Sequence, residues 1–240
     1  MLPGVCARKT VLGNHCSAFI DSPYSRTGIL YKNPIHADML DAARQVKLVY
    51  IVNVVIDGNK RTVAAFAGDT ATAHRKGCEF LSGYCTVQAK PADIVITTNG
   101  GAPMDQNVYQ CVKGLTAAEA TAKEGAIIIM CAALADGAGG DGFYRALKQC
   151  ESPEALYREI QGIGQDETRP DQWEYQILSR ILMKHKVIFV SEKENQRMIE
   201  DMKMIYAPDI KTALEIAHNI KGEDALLTVI PDGISVVVRS

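Results

Sequence analysis

From Ala92 onward, short unbroken apolar runs alternate with longer segments of helical periodicity. The runs are Ile94–Thr97, Gly125–Cys131, Val187–Val190, Ala225–Ile230 and Ile234–Val238. Between them, helical spacing fits Asp105–Gly114, Thr116–Lys123, Phe143–Cys150, Pro153–Gln161, Asp171–His185, Gln196–Met202 and Ile210–Ile220, with a short segment at Met204–Tyr206. A strand that is apolar at every position has both faces buried, as in a largely parallel sheet covered by helices on each side. Residues 91–240 therefore read as a complete α/β domain.

Residues 1–90 read differently. The first 30 are rich in Gly, Ser, Pro and Asn and predict loop with a short helix. Asn33-Pro34 then opens a helix: Asn is a good N-cap, and Pro suits the first turn. Lys47–Asp57, a turn at Asp57-Gly58-Asn59 and Arg61–Ala67 predict a hairpin, and Asp69 caps a helix running to about Ser82. Thr86–Pro91 reads as a connection. A two-stranded sheet is marginal by itself, and the segment opens abruptly on Leu2-Pro3-Gly4. The expectation is the end portion of a larger domain whose beginning is missing. The fold class is thus α/β: a Rossmann-like parallel-sheet C-terminal domain (91–240) preceded by the tail of an incomplete first α/β domain (1–90). Charge follows the same division, with 11 basic and 6 acidic side chains before residue 91 and 15 and 22 after it.

Composition removes several classes of function. A formal net charge of −2 and a pI near 6.2 argue against nucleic acid as a partner. Hydrophobic residues at 47% and charged residues at 22% are ordinary globular values, which argue against disorder, collagen and coiled coil. No apolar run approaches the roughly 20 residues of a membrane span, and the start has no signal-peptide core. Seven cysteines, an odd count without a CxxC pair, predict reduced thiols in a cytoplasmic protein.

No GxGxxG, Walker loop, HExxH or GxSxG stands out, and the five histidines are scattered. Three places invite chemistry. Asn14-His15, beside Cys16, offers an imidazole that can bind metal or transfer protons; a surface histidine fits the same pattern. Thr97–Gly114 (TTNGGAPMDQNVYQCVKG) brings a strand end, a glycine turn and a helix start together, where α/β sheets bind ligands and helix N-termini favour anions. Gln110 and Lys113 share a helix face with Tyr109 beside them, a donor and a cation suited to a carboxylate or phosphate. A solvated helix face is the alternative. The third place, Ala133–Gly142, carries four glycines in six positions and suits an anion cradle, a lid or a plain flexible connection. Trp173, the single tryptophan, serves either as packing or as a site wall.

Taken together, LPGV…NH (2–15), NPIHADMLDAAR (33–44), VYIVNVVID (49–57), FAGD…AHRKG (66–77) and VITTNGGAPMDQNVYQCVKG (95–114) resemble the nickel-dependent lactate racemase family. The blocks occur in order through the chain, and 97–114 is the most specific. The resemblance implies two α/β domains with the active site between them. It implies a nickel-pincer nucleotide derived from nicotinic acid, tethered through a lysine, with one further protein ligand, a histidine. It also implies a hydride relay, in which the pincer takes hydride from C2 of a 2-hydroxy acid and returns it to either face of the keto acid. Paired histidines exchange the hydroxyl proton. By position, His15 matches the nickel ligand, so it is the metal and cofactor-binding residue of this chain. Gln110 and Lys113 match the substrate-carboxylate pair with Tyr109 adjacent, and Trp173 matches a tryptophan of the same cleft.

The family pattern also contains a glycine-rich segment ending in the tethering lysine just before LPG, and this chain starts at that seam. The lysine and the acid–base histidines are expected upstream, so no catalytic residue is assigned here. The expectation is the carboxyl-terminal portion of a racemase or epimerase, inactive alone. Its partners are a small 2-hydroxy acid and the missing N-terminal half, in cis or in trans; no nucleic acid and no membrane are expected. Two rival readings are a stand-alone module that binds a small anion and one subunit of a split enzyme.

Overall fold

The computed structural model describes residues 2–239. They form two compact units: one holds the chain up to Thr86 together with Gly164–Thr168, the other Val87–Ile163 and the chain from Arg169.

The first unit contains α1 (Arg8–Asn14), α2 (Ser17–Asp21), α3 (Pro34–Gln45), β1 (Ile51–Ile56), β2 (Thr62–Gly68) and α4 (Thr70–Cys85). The caps are the ones expected. Asn33 accepts hydrogen bonds from the backbone N–H groups of Ile35 and His36, and Asp69 from that of Thr72. β1 and β2 pair antiparallel, with Val54 opposite Ala65. Asp57 closes the turn by accepting from the backbone N–H groups of Asn59 (2.8 Å) and Arg61 (2.9 Å). Phe66 on β2 packs against Phe80 on α4, 5.6 Å between ring centres. The opening segment holds two short helices rather than one within a loop.

The second unit contains β3 (Thr86–Gln88), β4 (Ala92–Thr98), α5 (Val108–Glu119), β5 (Ala122–Cys131), α6 (Asp141–Gln149), α7 (Pro153–Gln161), α8 (Gln172–Lys184), β6 (Lys186–Val190), α9 (Gln196–Asp201), β7 (Ile205–Ala207), α10 (Ile210–Lys221), β8 (Leu227–Ile230) and β9 (Val237–Arg239). Five strands form a parallel sheet in the order β7-β6-β5-β4-β8. The expected parallel sheet covered on both faces is present. Successive residues of its strands enter opposite cores. Val95, Ile128, Met130 and Phe189 face the layer of α5, α8 and α9. Ile94, Ile127, Ile129 and Ile188 face Ala213 and Ala217 of α10. That is why the strands carry no polar alternation.

Three sequence-based expectations are corrected. A single helix, α5, replaces the two expected between residues 105 and 123, and residues from Ala122 already belong to β5. The apolar run at 234–238 does not extend the parallel sheet; β9 pairs with β3, a segment that reads as a connection. The two strand errors arise because strand pairing depends on partners distant in sequence.

The chain builds out from β4 to β5, β6 and β7, then returns to place β8 on the other side of β4. The direction therefore reverses between β4 and β8, the place where open α/β sheets form a crevice. Glycines allow close packing there. A Cβ on Gly233 would lie 2.8 Å from Gly114 Cα, and one on Gly114 would lie 2.7 Å from Asn99 Oδ1 and 3.0 Å from the Thr98 carbonyl.

Alanine normally favours a helix over glycine by about 1 kcal/mol. Here the contact wins, and Gly114→Ala should destabilise the second unit by about 1–3 kcal/mol. Urea unfolding of the variant against the parent measures it; a raised midpoint would contradict the packing account.

Candidate functional site

The segment from Asn99 to Lys113 is positioned by two asparagines. Asn99 follows β4 and is fully buried. Its side chain donates to the carbonyls of Met104 and Gln110 (3.0 Å for the latter) and accepts from the backbone N–H of Gly114 (3.0 Å). The neighbouring glycines have φ of +75° at Gly100 and +81° at Gly101. A Cβ on Gly100 would lie 3.0 Å from the Asp232 carboxylate. The glycine turn thus has a packing reason as well as any functional one: it lets the strand end meet the turn after β8.

Asn107 caps α5 by accepting from the backbone N–H of Gln110 (2.9 Å), and its amide donates to Asp136 (3.0 Å). The next donors are also occupied. Val108 N–H donates to the Gly137 carbonyl and Tyr109 N–H to the Ala138 carbonyl, each at 3.1 Å. This corrects the expectation of an anion at the α5 N-terminus, because the amides that would hold it are already bonded. It also gives the glycine-rich segment a role: its carbonyls cap α5. Gly139 makes this possible, at φ +88° and with a would-be Cβ only 2.5 Å from Asn107 Cγ. The stretch Gly137–Gly142 does have the spacing GxGxxG, which corrects the expectation that the chain carries none. Asp136 and Asp141 line the cavity of about 450 Å³ beside it, so a pyrophosphate would meet negative charge.

The first turns of α5 then present their side chains. Tyr109 and Gln110 are half-buried and Lys113 is exposed. Lys113 Nζ donates to Gln110 Oε1 at 2.6 Å and enters no ion pair among the described residues. The pair therefore offers an ammonium and an amide NH₂ side by side, a donor set suited to a carboxylate. Tyr109 joins Trp173, whose indole N–H donates to the phenol oxygen at 3.1 Å. Phe143 packs edge-on to the Tyr109 ring at 5.5 Å. Burial pushes the Tyr109 phenol up to about 12, with Glu174 adding to the rise and the Trp173 hydrogen bond opposing it. The phenol stays protonated at neutral pH. The structure thus brings Tyr109, Gln110, Lys113 and Trp173 into one cluster.

One member of that cluster was missed. Glu174 follows Trp173 and is 8% exposed, and its Oε2 has no hydrogen-bond partner. Burial pushes its carboxyl up to about 7; Lys113 opposes the rise and Asp171 adds to it. The available signal was an acidic residue beside the single tryptophan. Burial in α8 supplies the rest.

His15 lies in the first unit, at the end of α1 rather than in an open loop. Its Nδ1 is 3.1 Å from the Val11 carbonyl oxygen. Burial lowers its pKa, so the ring is neutral at neutral pH. A neutral imidazole that donates from Nδ1 carries its lone pair on Nε2, the form a metal requires. Among the described residues no group of three His, Cys, Asp or Glu side chains is placed to hold a metal ion. All seven cysteines are free thiols, and no helix among the described residues is long and apolar enough to cross a membrane.

The protein-family model described as the lactate racemase C-terminal domain matches residues 87–238. The lactate racemase of Thermoanaerobacterium thermosaccharolyticum is 54% identical over 239 residues, and that of Lactiplantibacillus plantarum 47% over 239 residues. Each alignment covers 100% of this chain and 56% of the relative, so the chain spans about half the length of the curated relatives it matches. The solved structure of the Thermoanaerobacterium thermosaccharolyticum lactate racemase apoprotein superposes with a TM-score of 0.98 at 54% identity, covering 100% of this chain and 57% of that one. A crystal structure of a Thermotoga maritima protein has a TM-score of 0.58 at 12% identity, over 87% of this chain and 54% of that one, a likeness of fold alone.

Two outcomes follow from the cluster. The amide hydrogens of Val108 and Tyr109 should exchange slowly for a helix start, and Gly139→Ala should release them, since it imposes a left-handed backbone costing about 1–2 kcal/mol. Hydrogen exchange followed by NMR reads both; fast exchange in the parent would contradict the cap. For Glu174, the folded value of about 7 lies above the ordinary 4.5. Its contribution to stability is therefore fully present below 4.5 and lost as pH rises through about 7. Urea midpoints should fall between about pH 5 and about pH 8, and Glu174→Gln should flatten that part of the fall.

Proposed function

The chain belongs to the lactate racemase family, and on that premise we propose that it is the carboxyl-terminal portion of an enzyme that interconverts the enantiomers or epimers of a 2-hydroxy acid. In this reading residues 1–90 are the end of the catalytic and cofactor domain, and 91–240 are the C-terminal α/β domain. The observation that carries it is the Tyr109–Gln110–Lys113–Trp173 cluster, in which the exposed Lys113 ammonium enters no ion pair among the described residues and stands beside the Gln110 amide.

Each residue has a task within the proposal. Lys113 and Gln110 take the carboxylate of the acid and hold its C2 in one place, which matters because hydride transfer tolerates little misalignment. Asn99 and Asn107 hold that turn of α5 from within. The Tyr109 phenol keeps its proton and can donate it as a hydrogen bond to the acid, while the Trp173 indole fixes its oxygen. Trp173 also provides an apolar wall that limits water. His15 is the residue of this chain that fits as nickel ligand, through Nε2. Bound there, a nickel-pincer nucleotide would supply reversible acceptance of hydride from C2. The lysine that tethers it and the histidines that exchange the hydroxyl proton belong, by the resemblance, to a preceding segment acting in cis or in trans.

The first unit has a surface in keeping with such a segment. On β1, Val52, Val54 and Ile56 are 65%, 54% and 56% exposed, a continuous apolar face on a two-stranded sheet. Strands of this kind are normally covered or paired. A stand-alone anion-binding module has no use for that face.

The test combines this chain with the remaining segment of a relative, charged with the nickel nucleotide. Lactate interconversion is followed by chiral chromatography. The combination should be active, whereas the chain alone should give no L-lactate from D-lactate even with excess cofactor. Lys113→Ala should weaken lactate binding by about tenfold or more, the ordinary value of a charge-assisted hydrogen bond. An unchanged KM and kcat would remove Lys113 from the site.

A further inference from the structure

Glu174 has no place in the scheme above, yet it is the least ordinary group near the clamp. It stands at the start of α8, next to the residue that bonds Tyr109, and is 92% buried by the complement of its 8% exposure. One carboxyl oxygen lacks any hydrogen-bond partner. A buried carboxylate without a partner is costly, so such a group is held as the neutral acid or stands ready to meet a cation. The groups that face it are Lys113 and Tyr109 from α5 and Asp171 from the turn opening α8. Several charges on the other helices packed against α8 pair elsewhere. Arg145 pairs with Asp141 within α6, and Glu159 of α7 pairs with Arg169. Glu119 of α5 pairs with Arg180 further along α8.

Glu174 is therefore an anionic competitor for the Lys113 ammonium, and it is protonatable. We propose that Glu174 is a positioning residue of the clamp: with its proton it leaves Lys113 to an incoming carboxylate, and once ionised it draws on the same ammonium and repels the acid. The inference rests on the reading of Lys113 and Gln110 as the carboxylate site and adds a proton-linked control of that site. The burial that holds the carboxyl near 7 places the change in the neutral range. The sign follows from linkage. If the acid binds better when Glu174 is protonated, affinity falls as pH rises through about 7, and bound acid raises the pH at which Glu174 ionises. The Tyr109 phenol, coupled to Glu174 and titrating near 12, stays neutral throughout and does not confuse the readout.

Trp173 is the single tryptophan and adjoins Glu174, so its fluorescence reports this place in the full chain. A scan from about pH 5 to about pH 9 should show one transition near 7. Glu174→Gln should abolish it, and Lys113→Met should move it upward by removing the opposing cation. Added lactate should also move it upward in the parent. By calorimetry, lactate affinity should fall several-fold across the transition in the parent and stay level in Glu174→Gln. A transition that persists in Glu174→Gln, or lactate binding with the same pH profile in both proteins, overturns the proposal. Failure of lactate to bind either protein at any pH, in chains that show the Glu174 transition, overturns the carboxylate site as well as its control. Weak binding in Glu174→Gln at every pH would mark Glu174 as a scaffold residue and also overturn the proposal.

Discussion

The side chain of Asn99 ties the end of β4 to the loop at Met104 and to one turn of α5. It reaches the carbonyls of Met104 and Gln110 and the amide of Gly114, with no contact with solvent. In an α-helix the Gln110 carbonyl and the Gly114 amide are each other's natural partners. Asn99 brackets this same turn from the end of β4. A buried amide bonded in this way stabilises only modestly, but leaving it unbonded costs about 1–3 kcal/mol per group. The turn of α5 that carries Gln110 and Lys113 is thereby registered against the sheet.

Small residues are the second condition of that arrangement. Gly114 and Gly233 approach closely enough that neither tolerates a Cβ, and Gly139 lets a loop lie on Asn107. The loop carbonyls then consume the amides of Val108 and Tyr109. The result is a helix start with no backbone donor left for an anion. In the proposed site, recognition of a carboxylate falls to the side chains one turn further on, where Lys113 stands exposed. The backbone supplies rigidity there and the side chains supply charge. This division accounts for a clamp that reads as an ordinary helix face until its supports are seen.

Electrostatics within the cluster turn on burial. Tyr109 and Glu174 are both pushed toward their neutral forms by loss of water, and the Glu174 charge further disfavours ionisation of the Tyr109 phenol. Lys113, by contrast, is open to solvent. A buried neutral acid beside an exposed cation differs from an ion pair in one respect: the cation remains available to a ligand. The cluster combines a fixed donor, a fixed aromatic wall and one group able to change charge near neutral pH.

Much of the fold was legible because burial on both faces leaves its mark in sequence. The uninterrupted runs at Ile94, Ile127–Ile129 and Val187–Phe189 announced a covered parallel sheet, and Asn33, Asp69 and the Asp57 turn announced local structure that depends only on neighbours in the chain. Gln110 and Lys113 were legible as a pair because three residues is a helical spacing. Their link to Tyr109 and Trp173, the buried carboxyl of Glu174 and the β3–β9 pairing were not, since each joins residues far apart in sequence or depends on how much water the fold removes. Sequence alone determined which residues could serve as donor, cation and aromatic wall. Tertiary structure alone decided which of them meet, which helix amides are already occupied, and which carboxyl is kept from water, because contact and desolvation come into being only when the chain folds.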